Sequence, residues 1–162
     1  MTNFSSFGAF AAHLLTLQAS EALALHHGLK KVAFLVEGKA KAEIGTYQDA
    51  EGPFEEWAEL AESTKSDRFN KGFTENDPGL RTGAMNNSID NVVNGLEAVV
   101  GSDDQNLVYF ELGTDKQPPR SVLGMAALRN EEKIKDILGH AAVTGIVGGS
   151  LIDKKLGYDF DT

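Results

Sequence analysis

The sequence predicts a single α+β domain with a long N-terminal helix, a small antiparallel sheet with a hairpin, and a C-terminal helix. Three observations predict it. Apolar residues up to Ile44 recur three or four positions apart, the dipeptide Asn94-Gly95 lies between two β-like apolar runs, and the 162 residues are 41% hydrophobic and 24% charged. We place a helical arm at 1–45, the core at 53–140 and a C-terminal tail at 141–162.

The N-terminal helix is predicted to begin near Phe7, with Ser5 or Ser6 as its cap. The apolar pattern continues past Gly28 to Ile44, which favours either one bent helix or two helices joined at that glycine. A helix of this length packs one face on the core and also suits contact with a neighbouring subunit.

A short helix is predicted after Pro53, because proline is tolerated in a first helical turn and apolar residues recur over 54–61. Its glutamates are interpreted as a solvated face and not as a metal or acid–base site, since paired-carboxylate catalysis needs groups directed into a cleft. These glutamates are Glu55, Glu56, Glu59 and Glu62. The polar residues 66–81 that follow are predicted to form a long loop.

Thr82 is predicted to cap a short helix over 83–88. Three antiparallel strands follow, at 89–93, 96–100 and 107–112. A type I′ turn at Asn94-Gly95 is expected to connect the first two, because both of its central residues require positive φ.

Pro118-Pro119 ends the last predicted strand and leads into a helix over about 121–139. The glycine-rich remainder of the chain favours either a strand or a flexible tail. Its apolar residues are candidate anchors on a partner, and they are Leu151, Ile152, Leu156, Tyr158 and Phe160.

The net charge of −9 argues against nucleic-acid binding by the whole surface, which requires clustered cations. The charge is uneven, because residues 1–42 carry a net +2 and residues 43–75 a net −6. This favours a local basic patch near Lys30 and Lys31. We expect no secretory signal and no membrane segment, since the N-terminus lacks a cationic region and no apolar run reaches about 18 residues.

The residues that most often carry chemistry form no recognisable site, so we expect no catalytic, cofactor-binding or metal-binding residues. The absence of cysteine excludes thiolate sites and disulfides. The adjacent His26 and His27 point about 100° apart on a helix, unlike a helical zinc pair. The segment GIVGGS at 145–150 lacks the Lys-Ser/Thr end of a phosphate-binding loop.

Three short segments occur in a recognisable order along the chain: LRTGAMNNSI at 80–89, VYFELGT at 108–114 and PPRSVLGMAAL at 118–128. In this order the chain resembles the tailed-bacteriophage virion-morphogenesis proteins, which are neck and tail-completion proteins that include the minor tail protein Z group. That family shows a Thr-Gly-x-Leu-x-x-Ser-Ile box, a Tyr-Ala-x-x-x-Glu-x-Gly-Thr box and a Pro-Arg-Pro-Phe-Leu box. The resemblance covers about half of the chain.

The boxes map onto this sequence residue by residue, and the resemblance implies a role for them in the fold. Met85 stands where leucine is usual, and Ser121 and Val122 replace the usual proline and phenylalanine. The matching residues are Thr82, Gly83, Met85, Ser88 and Ile89 in the first box, Tyr109, Glu111, Gly113 and Thr114 in the second, and Pro119, Arg120 and Leu123 in the third.

The resemblance implies a structural protein of the virion, assembled in the host cytoplasm, that forms a homo-oligomeric ring at the head–tail junction. Its partners would be the neighbouring head-closure or connector proteins and the tail-terminator or tail-tube proteins. Genomic DNA would pass through the lumen of the ring. An acidic face over Glu55 to Glu62 would repel that DNA if it lined the lumen, and would only provide solubility if it faced outward.

Three alternatives remain open at this point. The chain is a minor tail protein elsewhere in the tail, a small phage hydrolase with His13 or His140 as base, or an adaptor whose N-terminal arm binds a partner helix. The ring size, six-fold or twelve-fold, is also open.

Overall fold

A computed structural model describes residues 5–147 of the chain. It has the predicted α+β architecture, with a long N-terminal helix, a two-stranded antiparallel sheet and a C-terminal helix. In chain order the elements are α1 (Phe7–Glu43), α2 (Glu62–Asn70), α3 (Ala84–Asn87), β1 (Ile89–Asn94), β2 (Glu97–Ser102), α4 (Gln105–Leu112), α5 (Leu123–Arg129) and α6 (Glu131–Val147).

The described residues divide into two compact units. The first unit contains residues 5–32, 93–98 and 133–147, and the second contains residues 33–92 and 99–132. Helix α1 therefore contributes residues to both units.

The first unit is an antiparallel pair of helices, formed by the N-terminal part of α1 and by α6. Glycines allow the two backbones to approach closely. A Cβ atom on Gly28 would lie 2.7 Å from the Ala141 Cβ, and one on Gly145 would lie 2.5 Å from the Glu21 Cα. The turn of the hairpin joins this unit, since His26 Nδ1 and the Gly95 carbonyl oxygen are 2.7 Å apart.

The second unit is built around one hydrophobic core. Helices α1, α3, α4 and α5 each place at least one apolar side chain in the core, as does strand β1. The buried members of the core are Ala40, Ile44, Trp57, Met85, Ile89, Leu107, Phe110, Val122, Met125 and Ala126.

The long N-terminal helix was predicted correctly, and it is one helix that continues through Gly28. The Ser6 hydroxyl accepts a hydrogen bond from the Ala9 amide at 3.1 Å, which confirms one of the two predicted caps.

The prediction of a third strand at 107–112 was wrong, because this segment forms α4. The β-branched and aromatic residues suggested a strand, but the Asp104 carboxylate accepts the Asn106 amide at 2.9 Å and starts a helix. Leu107 and Phe110, three positions apart, are the buried residues of α4, which is the spacing of a helical face.

The predicted helix over 54–61 is also absent, and residues 55–61 form an irregular segment. Tertiary contacts replace the helical hydrogen bonds there. The Trp57 indole donates to the Ser121 carbonyl at 3.1 Å, and the Ala58 carbonyl accepts from the Arg120 guanidinium at 2.7 Å. The glutamates expected on a solvated face are exposed, although only Glu62 is helical.

The predicted loop over 66–81 begins as helix, because its first five residues belong to α2. The sequence of α2, ESTKSDRFN, has no apolar periodicity, so the pattern gave no sign of a helix. Lys65 pairs with Glu62 at 2.9 Å across one turn of this helix.

The hairpin was predicted correctly, but its turn differs from the prediction. The turn residues are Gly95 and Leu96, and within the described chain no residue other than glycine has positive φ. Of the two turn residues, only Gly95 has a positive φ, of 58°. The turn therefore cannot be of type I′, which requires positive φ at both residues.

The single C-terminal helix predicted over 121–139 is divided at Asn130 into α5 and α6. The Asn130 side chain donates to the Ala126 carbonyl at 2.8 Å, so a local side chain competes with the continuing helix. Residues 141–147 of the predicted tail belong to α6. The candidate anchors Leu151, Ile152, Leu156, Tyr158 and Phe160 lie outside the described residues.

The close contact at Gly28 generates a stability prediction. Gly28→Ala should lower the free energy of unfolding by about 1–3 kcal/mol, because the added methyl group overlaps the Ala141 Cβ. Gly38 lies in the same helix with open space at its Cβ position, so Gly38→Ala should instead raise it by up to about 1 kcal/mol. Urea unfolding of both variants measures the difference, and equal effects would contradict the close helix contact.

Candidate functional site

The candidate site is the joint where α4 ends and α5 begins, since most residues of the second and third boxes lie there. At its centre is the Glu111 carboxylate, near the end of α4. Oε2 accepts the amides of Val122 at 2.6 Å and Leu123 at 2.9 Å, while Oε1 accepts the Ser121 hydroxyl at 2.6 Å and the Gly124 amide at 3.1 Å. A carboxylate ten or more residues away thus satisfies the first amides of α5.

Gly113 ends α4 and turns the chain towards α5. Its φ is 75°, a backbone conformation that favours glycine. A Cβ atom there would lie 2.8 Å from the Pro119 nitrogen and 2.9 Å from the Gln117 carbonyl oxygen, so any side chain would collide with backbone. Thr114 and Gln117 close the turn with an antiparallel bridge. Gly113 therefore turns the chain sharply at the end of a helix, and not at the end of the strand that was predicted over 107–112.

Arg120 connects this joint to the irregular segment 55–61. It is only 3% exposed, and its guanidinium donates to the Ala58 carbonyl at 2.7 and 3.0 Å and to the Glu59 carbonyl at 3.2 Å. The same group lies 5.6 Å from the centre of the Phe110 ring. Burial lowers the pKa of the guanidinium from its usual value. Arg120 therefore holds in place a segment that has no secondary structure of its own.

The first box contributes mainly to the core of the second unit. Met85 and Ile89 are buried in that core. The Thr82 hydroxyl accepts the Ala84 amide at 3.3 Å, and Gly83 occupies the N-cap of α3 with a φ of 79°. Ser88 donates to the Met85 carbonyl at 2.8 Å.

The structure thus brings some of the predicted residues together and leaves others apart. Glu111, Gly113, Arg120 and the partly buried Leu123 form the joint. Thr82, Tyr109, Thr114 and Pro119 are exposed, so their side chains contribute little to the core.

A second polar cluster, around the buried Glu43 at the end of α1, was not predicted from the sequence. Arg129 Nη1 lies 3.4 Å from Glu43 Oε1, and the same guanidinium donates to the Asp49 carbonyl at 2.9 Å and to the Gln48 side chain. Within the described residues Glu43 Oε2 is buried without a hydrogen-bond partner. Glu43 and Arg129 are 86 positions apart, a separation that no local pattern can indicate.

Burial raises the pKa of Glu43 from 4.5 to about 7, and the nearby charge of Glu111 acts in the same direction. Arg129 partly opposes this shift. The folded protein therefore retains a proton on Glu43 at pH values where an exposed glutamate has lost it.

Among residues 5–147, no group of three or more His, Asp or Glu side chains is placed to hold a metal ion. His27 and His140 line a groove between α1 and α6. Of the segment GIVGGS, residues 145–147 end α6 and the rest lies outside the described residues. None of the helices in this part of the chain combines the length and the hydropathy that crossing a membrane requires.

Comparisons of the chain with protein-family models, with curated proteins and with solved structures found no match.

The Glu111 contacts predict a specific loss of stability. Glu111→Gln removes the charge and one of the two acceptor oxygens, so the free energy of unfolding should fall by about 2–3 kcal/mol. The exposed Glu55 provides the control, and Glu55→Gln should change stability by less than about 0.5 kcal/mol. Urea unfolding gives both values. Equal stability of the two variants would show that the carboxylate does not hold α5.

Glu43 predicts a pH dependence. Its carboxyl ionises near pH 4.5 when unfolded and near pH 7 when folded, so the folded state binds more protons between these values. Stability should therefore fall as the pH rises through this range, by an amount on the order of 3 kcal/mol.

Glu43→Gln should remove this decline, because an amide does not ionise. Unfolding of the wild type, of Glu43→Gln and of the control Glu55→Gln at pH 5 and pH 8 tests it. Parallel pH profiles for the wild type and Glu43→Gln would rule out the raised pKa.

Proposed function

We propose that this chain is a structural protein of a tailed bacteriophage that acts in the neck or in tail completion. In this role, copies form a ring at the head–tail junction and join the DNA-filled head to the tail. The partners are the head-closure or connector proteins on one side and the tail-terminator or tail-tube proteins on the other.

One observation carries the proposal: residues from all three boxes meet in the second unit. Met85 and Ile89 of the first box lie in the core that also contains Phe110, the neighbour of Glu111 in the second box. The third box supplies Arg120, which holds residues 58 and 59, and Leu123, whose amide binds Glu111. The three boxes thus serve one fold, as segments shared by a structural family should.

The N-terminal part of α1 supports assembly into a ring. Its Phe7 and Leu15 side chains are 84% and 67% exposed, so this arm presents apolar surface that a neighbouring copy can cover. A ring needs a patch on each copy that meets a different patch on the next copy, and an exposed apolar arm provides one such patch.

The test is electron microscopy of particles from infected cells in which the gene is disrupted. We expect separate DNA-filled heads and tails, because the ring that joins them is missing. Supplying the wild-type gene from a plasmid should restore joined, infectious particles and serves as the control.

Joined but non-infectious particles would contradict a role at the junction and favour a role elsewhere in the tail. Normal, infectious particles would overturn the proposal as a whole.

A further inference from the structure

A groove of about 840 Å³ lies along one side of the α1–α6 helix pair. Both walls are helical stripes. One wall comes from residues 20–31 of α1 and the other from residues 133–145 of α6, at positions three or four apart. Its lining includes Ser20, Leu23, Lys31, Lys133, Asp136 and Thr144. Two antiparallel helices with a groove between them present the surface against which a third helix packs in a bundle.

The first turns of α1 extend beyond the described part of α6. Glu21 packs against Gly145, and α6 is described only to Val147, so in the antiparallel register residues 7–18 precede the part of α1 that faces the described part of α6. Residues 5–20 contain no charged side chain. Phe7 and Leu14 lie on one helical face and are 84% and 48% exposed. We call residues 7–18 the N-terminal segment.

The N-terminal segment and the groove lie on different faces of α1. At 100° per residue, Phe7 and the groove residue His27 point about 160° apart. When the segment of one copy binds the groove of another, the first copy therefore still has a free groove and the second copy still has a free segment. Such a contact is heterologous, and it closes into a ring or continues as a filament.

The segment fits the groove in length. Residues 7–18 and residues 20–31 are both 12 residues long, so each spans about 18 Å of helix. Covering Phe7, Leu14 and Leu15 would remove roughly 400 Å² from solvent on the segment and a similar area on the groove. A total of about 800 Å² is in the range of weak, reversible interfaces.

The charges also fit one direction of docking. At one end of the groove the antiparallel pairing places two lysines, Lys31 and Lys133, and one carboxylate, Asp136, so this end carries a net positive charge. The uncharged Ser20 and Thr144 lie at the other end. The positive N-terminal end of an incoming helix is favoured away from the lysines. In that direction Glu21, the first acidic residue after the neutral segment, approaches the lysine end.

We propose that residues 7–18 of one copy dock, as a helix, into the α1–α6 groove of a second copy of this chain. This inference deepens the proposed function and rests on it, because it names the contact that would build the ring.

Paired variants of the full-length chain test the contact. Leu14→Asp disables the segment and leaves the groove intact, whereas Leu23→Asp disables the groove and leaves the segment intact. Phe69→Asp on α2 is the matched control, since Phe69 is an exposed apolar residue that belongs to neither surface. Circular dichroism checks that each variant folds, and sedimentation velocity over a concentration series measures association.

We expect the wild type and Phe69→Asp to associate reversibly beyond the dimer. Leu14→Asp and Leu23→Asp should each weaken association by about tenfold or more. A mixture of these two variants should form a dimer, because it contains one intact segment and one intact groove. This recovery is specific to a heterologous contact.

Other outcomes overturn the inference. Loss of association in Leu23→Asp but not in Leu14→Asp would mean that two grooves pair with each other. A monomeric wild type would exclude a second copy of the chain as the occupant of the groove. If a variant without residues 148–162 then associated, those residues would be identified as what blocks the contact in the full-length chain. If all variants assemble as the wild type does, copies of the chain do not meet through this contact. The proposed function is tested separately, by electron microscopy of particles that lack the protein.

Discussion

The Glu111 carboxylate is the interaction on which the second unit depends. The first amides of a helix lack partners within it, and α5 has no side-chain cap of its own. Glu111 supplies the missing acceptor from the preceding helix, so the two helices are fixed by hydrogen bonds that neither makes alone. The fixed start of α5 then sets the position of Arg120, whose guanidinium binds the carbonyls of residues 58 and 59. Because Arg120 fixes those two carbonyls, the irregular segment 55–61 is held in place and keeps Trp57 in the core.

Local signals in the sequence were sufficient for two elements. The long helix α1 follows from apolar periodicity and from the Ser6 cap, and the hairpin follows from Gly95, because each of these features acts within a few residues. The error at α4 is also local. There, aromatic and β-branched residues favoured a strand, while the Asp104 cap and the three-residue spacing of Leu107 and Phe110 favoured a helix. The cap and the burial pattern prevailed over composition, as expected where tertiary packing outweighs propensity.

Distant contacts determine the parts that the sequence could not predict. Residues 54–61 have the pattern of a helix, but the Ala58 and Glu59 carbonyls bind Arg120, about 60 positions away. The pair formed by Glu43 and Arg129 is equally distant, and its buried carboxylate oxygen lacks a partner within the described chain. Of the candidate site, the sequence identified Glu111, Gly113 and Arg120 by resemblance, but only the structure gives their physical roles as acceptor, turn and clamp.

The charge distribution determines which surfaces of two copies of this chain repel each other least. With a net charge of −9, two copies repel each other over most orientations. That repulsion is weakest where charged side chains are absent, and residues 5–20 carry none. The same residues expose Phe7 and Leu15, so the least repelled surface is also an apolar one. Close glycine contacts at Gly28 and Gly145 draw α6 against α1, beside the groove that the two helices line. An acidic chain built in this way resists contact between copies more strongly through its charged faces than through its neutral arm.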